Sequence, residues 1–213
     1  MLLAVAGTTP PPPPPPGAGY QRVAQELSTA LTNLTLGKAG VLAETVVRTG
    51  RTAGDAIAAW NSAYAINSVN KDQATVLSMV TLLAGAKPTA IKDAYDAAYG
   101  INSISDKESL DLATRMVLRR FDVPTLRPTY DRLYAINDVS GESAEKMVKA
   151  QVSANATPDQ VLDSYAWYRS QPGGNPAQAT TWVVDHLTSL SGGFNEHHDQ
   201  VIAELTSRVA AVN

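Results

Sequence analysis

Apolar positions along the chain follow the three-and-four spacing of helices rather than the alternation of strands, and the same set of positions returns at a fixed interval. Aromatic residues stand at Trp60, Tyr95, Tyr130 and Tyr165, each 35 residues after the last. Leu42, Leu77, Leu112, Met147 and Trp182 keep that step, as do the small residues Ala39, Ala74, Ser109, Ala144 and Ala179 one turn earlier. Leu31, Ile66, Ile101 and Ile136 form a further column, which Gln171 breaks. One such column arises by chance, whereas several in one register point to internal duplication.

Polar residues punctuate these columns. Asn70, Ser105, Ser140 and Asn175 also stand 35 apart, with Thr35 at the first position. Each carries a side-chain oxygen able to accept from a free N–H of a helical first turn. Gln73, Glu108 and Gln178 complete the capping-box spacing, and Pro176 follows its cap where a missing N–H costs nothing. Each unit therefore predicts two helices. Helix A carries the aromatic, as over 56–67, and helix B follows the cap, as over 71–83. Asn67, Asn102 and Asn137 are expected to end helix A, since Asn tolerates the left-handed conformation.

The expected fold class is all-α: about four to five helix-turn-helix repeats of 35 residues. A degenerate unit covers 20–51, followed by units at 52–87, 88–123, 124–157 and 158–191, all within one domain, 20–213. One hairpin cannot bury its apolar face alone, but stacked hairpins can. Leu77, Leu112, Met147, Trp182 and the aromatic column are expected between hairpins. Segment 195–213, with Val201, Ile202, Leu205 and Val209 on one face, is expected to cap the final unit. Residues 1–19, with Pro10 to Pro16 and Gly17, are expected to form an extended arm outside the core.

Composition narrows the function classes. The chain of 213 residues is 44% hydrophobic, enough for one sizeable core. Its net charge of -3 offers no bulk attraction to nucleic acid or anionic membrane. No apolar run approaches the length of a membrane span, so the protein is not expected to be membrane-embedded. Cysteine is absent, which excludes disulfides and thiolate metal sites. No phosphate-binding loop, dinucleotide fingerprint or nucleophile elbow occurs. No catalytic residue, cofactor or metal site is therefore expected. His197, His198 and Asp199 adjoin one another, but neighbours on a helix point about 100° apart, which favours a surface position over shared metal ligation. Arg115, Arg119, Arg120, Arg127 and Arg132 gather near the junction of units 88–123 and 124–157. They are either a solvated face paired with nearby carboxylates or a docking patch for an acidic protein surface, because Arg forks carboxylates well. The four from Arg115 to Arg127 are the candidate partner contacts.

A two-helix unit with an aromatic early in helix A and a small residue in helix B resembles the pentatricopeptide and tetratricopeptide superfamily, over about residues 54–190. The stretch from Ala58 to Pro88 is most similar to a pentatricopeptide unit, and Asn61, Asp96 and Asp131 occupy a position that such repeats keep polar. The resemblance implies a right-handed α-solenoid. In size, repeat number and lack of catalytic residues the chain is similar to the pentatricopeptide-like subunits attached to the F1 head of euglenozoan mitochondrial ATP synthase. That implies a structural subunit with protein partners in a multi-subunit assembly in the mitochondrial matrix. The alternatives are a pentatricopeptide-type RNA-binding protein and a free-standing peptide-binding adaptor. Between residues 54 and 190, 12 Lys and Arg face 15 Asp and Glu, which disfavours an RNA groove.

Overall fold

The computed structural model describes residues 17–101 and 104–212. Among them are 11 α-helices, one short 3-10 turn at Val123–Thr125, and no strand. The helices pair in chain order: α1 (Ala18–Ala30) with α2 (Leu36–Thr49), α3 (Ala53–Tyr64) with α4 (Lys71–Leu83), and α5 (Ala90–Tyr99) with α6 (Asp106–Arg119). Then α7 (Leu126–Tyr134) pairs with α8 (Gly141–Ala154), and α9 (Pro158–Arg169) with α10 (Pro176–Leu190), before α11 (Phe194–Ala210). The arm expected at 1–19 lies outside the described residues up to position 16, and α1 takes in its last two residues.

The even-numbered helices begin where capping chemistry places them. Side-chain oxygens of Thr35, Asn70, Ser105, Ser140 and Asn175 accept from backbone N–H groups of the first turn. Helix α3 starts three residues before the expected 56, because Thr52 and Asp55 form a reciprocal capping box. It also ends earlier, at Tyr64, in a turn closed by Ile66 N–H to the Ala63 carbonyl and Val69 N–H to the Ile66 carbonyl. Asn67 and Asn137 are therefore not left-handed helix ends, and Asn102 lies outside the described residues. The left-handed positions instead close the even helices: Gly50 (φ 66°), Gly85 (φ 65°), Arg120 (φ 54°) and Asn155 (φ 54°). The next residue of each donates back five positions, as Phe121 does to the Met116 carbonyl, so a turn the chain must make sets the conformation.

Odd helices pack on odd and even on even, giving two layers with the core between them. Trp60, Tyr95, Tyr130 and Tyr165 are buried in that seam, and the Trp60 indole N–H donates to Thr75 Oγ1 at 3.2 Å. Leu42, Leu77, Leu112 and Met147 are buried as well. Trp182 corrects the expectation, because it is only partly buried. Its ring stacks on His186 and is tilted against Trp167, each with 4.9 Å between centroids.

The last helix also departs from expectation. Rather than capping the α9–α10 pair, α11 runs back along the even-numbered layer, packing chiefly on α4 and also on α8 and α2. Its 17 residues span about 25 Å, enough to cross about three helices at the usual 8–10 Å separation. Arg208 reaches Glu44 at 2.7 Å near the far end. The face that directs this path is Phe194, His198, Leu205 and Val209, all buried.

Candidate functional site

The densest cluster of chemistry-bearing side chains lies where α11 meets α6. Arg119 holds the start of α11: its guanidinium sits 4.7 Å over the Phe194 ring and donates to the Ser191 carbonyl at 3.3 Å. One turn earlier on α6, Arg115 donates to Asp111 (2.8 Å), Asn195 (2.8 Å) and Asp199 (3.0 Å). His198 is buried beside them, with Nδ1 at 2.8 Å from Asp199 and Nε2 at 2.8 Å from Thr114 Oγ1. The surface position expected for this histidine is thus corrected, while its neighbour His197 does face solvent. His198 continues the apolar spacing of Phe194, Val201, Ile202, Leu205 and Val209, a signal present in the sequence.

Asp111, His198 and Asp199 place ligand-type atoms within 4.8 Å of one another. The Arg115 guanidinium already bonds both carboxylates, and both His198 nitrogens have partners, so the cluster is arranged as a clasp. The ring is held below its ordinary pKa, first by burial and partly offset by the bond to Asp199. A neutral ring donating from Nδ1 needs the Thr114 hydroxyl turned towards Nε2. A protonated ring would turn that hydroxyl to the Asp111 carbonyl, 2.8 Å away.

This gives a signed pH dependence. Below 6.5 the unfolded chain protonates His198 while the folded chain resists, so the unfolded state binds more protons. The contribution is complete above that pH and is lost as pH falls towards the depressed folded value. Melting temperatures measured from pH 8 to pH 5 are expected to hold level and then fall below about 6.5. His198→Asn is expected to flatten the decline, and an unchanged slope in that variant would refute the assignment.

The other arginines bond elsewhere along the chain. Arg120 donates from Nε to the Ala84 carbonyl at 3.1 Å, bridging the ends of α4 and α6. Arg127 pairs with Asp131 at 2.8 Å, reaches the Gly100 carbonyl and lies 5.9 Å from the Tyr130 ring. Arg132 reaches Asp159 at 3.0 Å, joining α7 to α9. All five tie neighbouring elements of the chain to one another.

A second feature escaped the sequence reading. Tyr64, Tyr99 and Tyr134 are the last residues of α3, α5 and α7, with 40%, 56% and 58% of their surface exposed. Each stacks on the buried aromatic four residues before it, with centroids 4.7, 5.6 and 5.9 Å apart. The signal was the thrice-repeated Tyr-(Ala/Gly)-Ile-Asn at the same interval of 35 residues.

Neither a family model nor a curated protein matches this chain. An open groove of about 660 Å³ lies between α6, α8 and α10. Lys149 crosses the wall of that groove to bond both Glu108 and Glu145. The Glu108 carboxyl is held down at about 2, chiefly by the Ser105 hydroxyl and then by Lys149. A smaller cavity of about 460 Å³ remains between α4, α6 and α11, next to the His198 clasp. No described helix is long and apolar enough to cross a membrane.

Proposed function

We propose that this protein is a non-catalytic structural subunit, a right-handed solenoid of 35-residue hairpins that docks on a larger protein assembly. One observation carries the reading. The His–Asp–Asp cluster is locked by Arg115 and Thr114 into fastening α11, while aromatic side chains are left at the surface. Exposed aromatic rings of this kind belong to protein contacts rather than to solvated faces. The resemblance to pentatricopeptide-like subunits supports one setting, the F1 head of a mitochondrial ATP synthase in the matrix. The partner contacts assigned to Arg115, Arg119, Arg120 and Arg127 belong to the same proposal, with Arg120 and Arg127 the more accessible pair. A base-reading role draws less support: Asp96 and Asp131 stand where such repeats read RNA, and Lys92 and Arg127 already pair with them at 2.6 and 2.8 Å.

The test is affinity purification of the tagged chain from its native source. It is expected to recover a stoichiometric protein assembly that survives nuclease treatment. Recovery of the chain with RNA, or with nothing, would reject the proposal. Absence of the catalytic F1 subunits from a recovered assembly would reject that setting alone.

A further inference from the structure

The tyrosine column stacks one side of each ring on a buried aromatic and leaves the rest exposed. Tyr64, Tyr99 and Tyr134 each end an odd-numbered helix, and α3, α5 and α7 pack side by side in that order. Packed helices lie about 8–10 Å apart, so the three rings mark a row roughly 16–20 Å long. The row stops on both sides: Thr29 holds the equivalent position in α1, and Arg169 holds it in α9, where it is engaged with Asp138 and the Gly174 carbonyl. Charge along the row is cancelled. Lys92 pairs with Asp96 one turn before Tyr99, and Arg127 pairs with Asp131 one turn before Tyr134.

An uncharged row of exposed phenol rings at this period fits one kind of ligand closely. A proline segment, with φ fixed near −65°, winds as a left-handed helix of three residues per turn and about 3.1 Å rise, so it repeats about every 9.3 Å. That repeat is commensurate with the helix separation, so one turn of proline rings meets each tyrosine. Such a segment has no internal hydrogen bonds, and its carbonyls can accept from phenol hydroxyls. Pro10 to Pro16 is seven residues, about 22 Å at that rise, the length of the row.

The strip cannot lie on the row of its own chain. Gly17 precedes the first residue of α1, whereas the tyrosines sit at the last residues of the odd helices. The 13 residues of α1 place those ends about 20 Å apart, so the strip would be used up in reaching Tyr64. We infer that the Tyr64–Tyr99–Tyr134 row binds the proline strip, residues 10–16, of a second copy of this chain. The contact joins two different surfaces, so it forms either a two-fold dimer in which each strip lies on the other's row or a head-to-tail series. It stands independently of docking on a larger assembly.

Sedimentation of the full-length chain tests it. The wild-type protein is expected to gain mass with concentration up to about 100 µM. Two variants separate the halves of the contact: Tyr64→Ser/Tyr99→Ser/Tyr134→Ser, and a chain with Pro10–Pro16 replaced by a Gly/Ser run of equal length. Each alone is expected to associate at least about tenfold more weakly. Mixed together they are expected to form a heterodimer, since one supplies an intact strip and the other an intact row. A synthetic peptide of residues 8–19 is expected to compete with wild-type association. Should the triple variant unfold by circular dichroism, the single Tyr134→Ser substitution, at the most exposed ring, is expected to weaken association at least about threefold. A wild-type chain that stays monomeric, a folded tyrosine variant that associates like its parent, or a mixture of variants that fails to pair would each overturn the inference.

Discussion

Leu112→Ala is expected to lower the unfolding free energy by about 2–5 kcal/mol, seen as a lower urea midpoint at unchanged helix content. Leu112 is 2% exposed at the centre of α6. That helix packs on α5 in its own hairpin and on α4 and α8 in its layer. The side chain also lines the open groove. Partial collapse or entry of water from that side would bring the cost towards the lower end of the range. A midpoint within error of the parent would mean that α6 is not seated as described.

A larger effect is expected from removing residues 193–213. The deletion strips Phe194, Leu205 and Val209 from their buried positions. At about 1.5–3 kcal/mol for each apolar side chain, the loss is roughly 5–9 kcal/mol, an upper figure because the unfolded chain already buries some of that surface. It also leaves Thr114 and Arg115 of α6 without their partners on α11. For a domain of this size the melting temperature is expected to fall by roughly 10 °C or more, with most helix content kept at low temperature. The truncated chain is expected to bind a hydrophobic dye at the uncovered face of α4. Calorimetry showing a loss no larger than that of Leu112→Ala would mean that α11 contributes little and that its path over the layer is incidental.

What was legible in the sequence is local or periodic. Caps at Asn70 and Ser105 depend on oxygens within three residues of the N–H groups they accept from, and Lys71–Leu83 begins and ends where the pattern places it. Burial of Trp60 and Tyr95 follows from columns that any stacked arrangement must cover. The seat of α11 was not legible, because it depends on complementarity between segments distant in the chain, such as Glu44 with Arg208. For the same reason the partner of Arg119 was not legible: nothing near it in sequence announces Phe194, 75 positions later. His198 and the tyrosine row are different. Both lay on visible periodicities: His198 went unread because a polar side chain was not counted in the apolar pattern, and the tyrosine row because only the first aromatic of each unit was followed.

The return of α11 bears on the order in which the protein is made. Hairpins stacked on their neighbours can form one after another as they leave the ribosome, each needing only the one before it. The seat on α2 and α4 cannot be filled until residues 201–212 emerge. Until then the apolar wall that includes Val76 and Leu77 stays uncovered in the nascent chain, open to chaperones. The closing step joins residues as far apart as Glu44 and Arg208. Contacts of such separation form late and slowly, so the fold of a chain built from local pairs is completed by distant ones.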